Sequence, residues 1–272
     1  MLLAAAVQLS STADIAHNVA QADRWVREAA RRGASLIVTP ENTNFLGPHR
    51  AKVAAAEDLD GLTCSRFAEL AAELRVTLVL GSFNERSDDP QRCYNTSVVF
   101  GPNGDRLATY RKIHLFDVDV DAALRFRESD TVVPGNDPVV VDTPAGRLGL
   151  SICYDLRFGE LYRALVDQGA DILLVPSAFT LTTGRDHWHP LLAARAIENQ
   201  AYVIAANQVG AHDDEGLRAS YGHSCVLDAW GHRIALQPDA PGIALAPIDP
   251  ASIADVRRRI PVAAHRRLGR PC

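Results

Sequence analysis

Short apolar runs set the frame of this 272-residue chain. Ser35-Leu36-Ile37-Val38, Leu148 to Ile152, Ile172-Leu173-Leu174-Val175 and Tyr202 to Asn207 show little polar alternation. Strands of that kind are buried on both faces, so each needs cover above and below. Helical spacing appears between them. Ile15, Val19, Ala22, Val26 and Ala29 mark a helix over 14–33 that Gly33 stops, and Phe67, Leu70 and Leu74 mark a second over 63–75. Further helices are read after Cys153, over 186–199 and over 251–259. Hairpin turns fall at Gly101-Pro102-Asn103-Gly104 and Thr143-Pro144-Ala145-Gly146. Residues 112–135 have no clean period and read as a long loop, of the sort that lines active sites. With about a dozen strands, four or five helices and no linker or repeat, 1–272 reads as one α/β domain, helices outside and sheets meeting inside.

Composition removes several classes of function. A hydrophobic content of 47% beside 22% charged residues suits a soluble globular protein, and a net charge of −5 argues against a nucleic-acid binder. Cys64, Cys93, Cys153, Cys225 and Cys272 are widely spaced with no Cys-x-x-Cys pair, which speaks against a disulfide framework and a zinc site and for a reducing, cytoplasmic compartment. The opening Met1 to Val7 lacks a basic flank and is interrupted by Gln8, so it reads as a core strand and not a signal peptide. No run is long enough to span a membrane. The basic His265-Arg266-Arg267 reads as a solvated or interface segment.

Chemistry concentrates where strands end. Cys153 stands at the handover from the run Leu148–Ile152 to a helix beginning near Gly159. Backbone N–H groups without partners at such a turn can bind a developing oxyanion, so this is a good address for a nucleophile. The plain alternative is a small buried hydrophobe. A thiol needs a base or cation to become a nucleophile, and no His adjoins Cys153 in sequence. Glu41 follows the strand Ser35–Val38, and Lys112 follows Arg106–Arg111. If those strands run the same way, the three side chains can meet; taken singly, Glu41 and Lys112 would be surface charges.

Pro40-Glu41, Tyr110-Arg111-Lys112-Ile113-His114-Leu115-Phe116-Asp117-Val118 and Cys153-Tyr154-Asp155-Leu156-Arg157-Phe158 occur in that order. Together they resemble the three signatures of the carbon–nitrogen hydrolase (nitrilase) superfamily, over residues 2 to about 268. The resemblance implies a four-layer αββα sandwich and a catalytic triad of Glu41, Lys112 and Cys153. It adds a supporting Glu128 and the backbone N–H of Tyr154 as oxyanion donor. It requires no metal and no organic cofactor, and it implies a homodimer or larger homo-oligomer, with 249–272 as a C-terminal extension at an interface.

Within the superfamily the chain looks most like the Nit branch, which holds omega-amidases of 2-oxo acid amides and deaminated glutathione amidases. Pro176-Ser177-Ala178-Phe179, Leu181-Thr182-Thr183-Gly184, His187-Trp188, Ala194 to Glu198 and Ala219 to Ser224 carry that likeness. Arg185 and His189 depart from the branch in a segment expected to shape the pocket. The implied reaction is thioester-mediated hydrolysis of a small carboxylate-bearing amide. Arg157 and Arg185 are the expected carboxylate clamps, because a guanidinium fork matches a carboxylate. The plain alternatives are an ion pair of Arg157 with Asp155 and a solvated loop charge at Arg185. Phe179 is expected to border the pocket, and His187 and Trp188 to pack. The alternatives to an amidase are a hydrolase of nitriles or N-carbamoyl compounds, a non-catalytic scaffold on the same fold, and a redox-sensing cysteine protein.

Overall fold

Two six-stranded mixed sheets lie face to face. The computed structural model describes residues 2–49, 51–121, 124–212 and 219–268; Cys272 and the end of the 249–272 segment lie outside the described residues. The first sheet is built from β1 (Leu2–Gln8), β2 (Ala34–Val38), β3 (Thr77–Arg86), β4 (Cys93–Phe100) and β5 (Arg106–Arg111). A hairpin of β6 (Asp117–Asp121) and β7 (Leu124–Arg127) follows. The second sheet is built from β8 (Val140–Thr143), β9 (Gly146–Leu150), β10 (Ile172–Leu174) and β11 (Tyr202–Ala205). After the small hairpin β12 (Val209–Ala211) and β13 (Ala219–Tyr221), β14 (Ser224–Leu227) and β15 (Arg233–Gln237) complete it. The last strand, β16 (Gly242–Ile248), returns to the first sheet and pairs antiparallel with β1, from Leu2 opposite Ile248 to Gln8 opposite Gly242.

Each sheet holds a parallel trio at its centre, β1-β2-β3 in one and β9-β10-β11 in the other. The first sheet separates its two faces cleanly. Ala4, Ala6, Leu36, Val38 and Val79 belong to the core shared with the second sheet, while Ala5, Val7, Ile37, Leu78 and Leu80 pack on helices. Those helices are α1 (Ile15–Arg31), capped by the Asp14 carboxylate accepting from the His17 N–H at 3.0 Å, and α3 (Leu62–Leu74). The one-turn α2 (Ala51–Ala54) precedes α3. On the other side, α4 (Gly159–Asp167) and α5 (Leu181–Asn199) cover β9, β11 and β14. The layers are therefore helix, sheet, sheet, helix, the αββα sandwich expected. Two further helices, α6 (Pro250–Arg259) and α7 (Val262–His265), follow β16. Among the described residues no helix is long and apolar enough to cross a membrane.

Two expectations need correction, and one element left no mark in the sequence. Residues 112–135 are not a plain loop, since they contain the β6-β7 hairpin and a 3-10 turn over Glu128–Asp130. Asp117, Asp119 and Asp121 alternate along β6, and so much charge hides a strand from an apolar-period reading. Second, α5 starts at Leu181, five residues before the expected start. Thr182, Thr183 and Gly184 are weak helix formers, yet Gly184 is there for packing: a Cβ on it would lie 2.4 Å from Cβ of Tyr221. The unmarked element is α2, which is too short to leave a periodic trace.

Gly81 in β3 sets how closely this strand approaches the turn carrying Glu41. A Cβ there would fall 1.8 Å from the carbonyl oxygen of Thr39 and 2.5 Å from that of Pro40. Gly81→Ala is expected to cost about 3 kcal/mol of stability through overpacking, read as a lower urea midpoint, and to depress activity along with it because the displaced backbone is that of Thr39-Pro40.

Candidate active site

Glu41 leaves the C-terminal end of β2 in a turn held by several hydrogen bonds. The Thr39 hydroxyl accepts from the Gly81 N–H at 3.0 Å, the Thr43 hydroxyl donates to the Pro40 carbonyl at 2.6 Å, and Asn42 sits in the left-handed region with φ 57°. Gln208 donates its side-chain amide to the Glu41 carbonyl at 2.9 Å. The carboxylate is 3% exposed. One oxygen receives Lys112 Nζ at 2.9 Å and Asn95 Nδ2 at 2.8 Å; the other receives the backbone N–H of Ala178 at 2.8 Å.

Lys112 follows β5. Both pairings from β3 to β5 are antiparallel, so β5 runs the same way as β2 and β3 and delivers Lys112 at the end where Glu41 emerges. Its ammonium also donates to both oxygens of Glu128, at 3.1 and 2.8 Å. Glu128 opens the 3-10 turn after β7 and takes the Phe116 N–H at 2.7 Å. Asn95 contacts both carboxylates, with Glu128 at 3.3 Å. Sequence reasoning missed Asn95; its signal is the polar run Asn95-Thr96-Ser97 inside an otherwise apolar, buried strand.

Cys153 begins the 3-10 turn Cys153–Arg157 directly beyond β9, with φ 48°. A left-handed conformation at a non-glycine residue costs about 1–2 kcal/mol, and it turns the residue out of the strand direction. The Cys153 N–H is taken by the Pro176 carbonyl at 2.9 Å. Among the described residues the Tyr154 N–H has no acceptor, as befits the start of a helical turn. Asp155, fully buried, ties this turn to the strand end carrying Lys112. Its carboxylate accepts from the Ile152 N–H at 2.9 Å, the His114 N–H at 3.0 Å and the Tyr110 hydroxyl at 2.6 Å, and contacts the His114 ring nitrogen at 2.7 Å. It is therefore not the partner of Arg157.

A cavity of about 290 Å³ opens over Glu41, Lys112 and Cys153. Tyr154, Arg157 and Phe179 line it, as does Lys52, which had drawn no attention in the sequence. Arg157 contacts the His187 ring nitrogen at 3.3 Å and lies 5.4 Å from the Phe179 ring centre. Arg185 is exposed on α5 and is not among the lining residues, and neither is His189. His189 packs near Tyr221 and His223, and burial pulls its imidazole down to about 4. Trp188 is packing: it is fully buried against Phe179 and donates to the His223 carbonyl at 3.0 Å.

Charge and burial set the protonation states. Burial pushes the Cys153 thiol well above its ordinary range; the Glu41 carboxylate pushes the same way and Lys112 opposes. The resting sulfur is thus a thiol whose proton must leave during attack. Burial works against the Lys112 ammonium, but Glu128 and Glu41 override it and hold it well above its usual value. Burial likewise works against Glu128, and Lys112, helped by Lys52, holds it below the usual carboxylate range. Cys64, Cys93 and Cys225 are also buried, which raises them to about 12, 11 and 12. Among the described cysteines, Cys153 alone lines the cavity beside a carboxylate and an ammonium. No cluster of described His, Cys, Asp or Glu residues has the form of a metal site.

A thiol, a carboxylate, an ammonium and an open N–H around one cavity form the apparatus of covalent acyl transfer. The carbon-nitrogen hydrolase family model matches residues 3–258. A deaminated glutathione amidase of Synechocystis is 43% identical over 97% of both chains, and the human omega-amidase is 40% identical over 97% of this chain and 94% of its own. The crystal structure of the C. elegans NitFhit protein superposes with a TM-score of 0.92 at 38% identity, over 98% of this chain and 65% of that one. The chain belongs to the carbon-nitrogen hydrolase family, and it is a hydrolase of carbon–nitrogen bonds other than peptide bonds.

Because Glu128 is held below its ordinary value of 4.5, its contribution to stability is complete above that pH and is lost as the pH falls toward its depressed folded value. Glu128→Gln should therefore lower the urea midpoint at pH 7 and flatten the decline of stability below pH 4.5. Parallel pH profiles of wild type and variant would refute this arrangement.

Proposed function

We propose that the chain is a thiol amidase for small carboxylate-bearing amides, of the 2-oxo acid omega-amide or deaminated glutathione class. Cys153 serves as nucleophile, Glu41 as base and Lys112 as electrostatic stabiliser. The observation that carries this reading is the Cys153 thiol hydrogen-bonded to the buried Glu41 carboxylate, which in turn holds the Lys112 ammonium at 2.9 Å. The names of the relatives support the substrate class.

In the first half-reaction Glu41 takes the thiol proton as sulfur attacks the amide carbonyl. The oxyanion is received by the open Tyr154 N–H and Lys112; one such donor is worth about 3 kcal/mol in the transition state. The carbon–nitrogen bond then breaks, Glu41 passes its proton to the leaving nitrogen, and an acyl thioester remains on Cys153. In the second half-reaction Glu41 takes a proton from water, hydroxide adds to the thioester, and the acid leaves as the sulfur recovers its proton. Glu128 and Asn95 position Lys112 and Glu41 and touch no reacting atom.

This reading treats the chain as one catalytic unit that acts in the cytoplasm as a homodimer or larger assembly, with 249–272 at an interface. Exposed Ile197, Trp230 and Ile260 near that segment favour an apolar contact.

The test is ammonia release from 2-oxoglutaramate and 2-oxosuccinamate, release of 2-oxoglutarate from deaminated glutathione, and controls with a nitrile and an N-carbamoyl amino acid. Turnover of at least one of the carboxylate-bearing amides is expected, with none by Cys153→Ala. Glu41→Gln should lose roughly 10²–10⁴-fold in kcat. Full activity of Cys153→Ala, or turnover confined to the nitrile or N-carbamoyl control, would refute the reading.

A further inference from the structure

The chain has 28 basic residues of the Lys and Arg types, and Lys52 and Lys112 are its sole lysines. Both line the same cavity. Lys112 is engaged with two carboxylates. Lys52, on α2, is only 7% exposed, and among the described residues it makes no hydrogen bond and no ion pair. A buried ammonium without a direct partner is costly and is normally paired. Glu128 feels its charge, but hydrogen-bonds instead to Lys112, Asn95 and the Phe116 N–H. The described lining carries three cations, Lys52, Lys112 and Arg157, against the two carboxylates Glu41 and Glu128. The imbalance suits a ligand with one negative charge.

We infer that Lys52 is the residue that receives the substrate's carboxylate and so makes the site specific for anionic amides. This inference rests on the function proposed above and names the recognition element within it. Arg157 fits that task less well, since its guanidinium contacts His187 and the faces of Tyr154 and Phe179. Lys52 and Glu128 line the same cavity, the Lys52 charge acts on Glu128, and its three donors are free to meet a carboxylate there. A compact point charge also accepts a carboxylate from several directions, so the carboxylate is held while the amide end stays adjustable at the sulfur.

The test compares 2-oxoglutaramate with 4-oxopentanamide, in which a methyl group replaces the carboxylate. Lys52→Met should raise KM for 2-oxoglutaramate by roughly 10- to 100-fold, the loss of a charged hydrogen bond. Its kcat, and kcat/KM for 4-oxopentanamide, should fall far less, and Lys52→Arg should restore part of the loss. Lys52→Gln replaces the Met variant if the latter does not fold. Equal losses on both amides would mean that Lys52 merely balances Glu128, and would overturn the inference, as would unchanged kinetics. Binding of 2-oxoglutarate to Cys153→Ala, with and without the Lys52 substitution, is measured by calorimetry and needs no turnover. Weaker binding without Lys52 supports the inference even if the proposed reaction fails; equal binding, or none to either protein, overturns it.

Discussion

Two carboxylates share one ammonium in the interior, and much of the surrounding architecture answers to that fact. Glu41, Glu128 and Lys112 are each at most 3% exposed. Ions in such a place survive only when nearly every oxygen and proton has a partner. The partners here come from far apart in the chain: Asn95 from β4, the Phe116 N–H from the segment before β6, the Ala178 N–H from the segment after β10. Removing one member would strand a buried charge at a cost of about 3–5 kcal/mol. The same enclosure strengthens the field that Lys112 exerts at the sulfur.

The thiol is governed by a different device. Burial and a nearby carboxylate keep it protonated, so reactivity does not come from a standing thiolate. It comes from placing the base beside the sulfur and from a turn that leaves one N–H open. Asp155 holds that turn by accepting the Ile152 N–H, and by reaching His114 and Tyr110 it fixes the distance between the thiol turn and the lysine strand. Strain at Cys153 is thus carried by a buried carboxylate that takes no part in the chemistry.

Much of this was legible in the sequence, and for physical reasons. Apolar runs without alternation mark central strands, and Glu41 and Cys153 each stand just past one, whereas Lys112 follows the edge strand β5. What stayed hidden was of two kinds. The β6-β7 hairpin and α2 carry too much charge or too few residues to leave a period. Asn95, Lys52 and the true partners of Asp155 depend on which strands become neighbours, and no local pattern encodes that. Arg185 illustrates the converse: it has the right chemistry for a clamp, but the early start of α5 carries it to an exposed position.

The division of the site between two sheets also orders events in time. Glu41 and Lys112 emerge from β2 and β5, whereas Cys153 and Ala178 emerge beyond β9 and β10. Neither sheet holds the constellation alone, and the first sheet gains its outer strand only when β16 reaches β1. Contacts this distant in sequence close late in folding. The thiol meets its base and lysine only where the two sheets pack on each other, so hydrolytic power depends on closure of the sandwich.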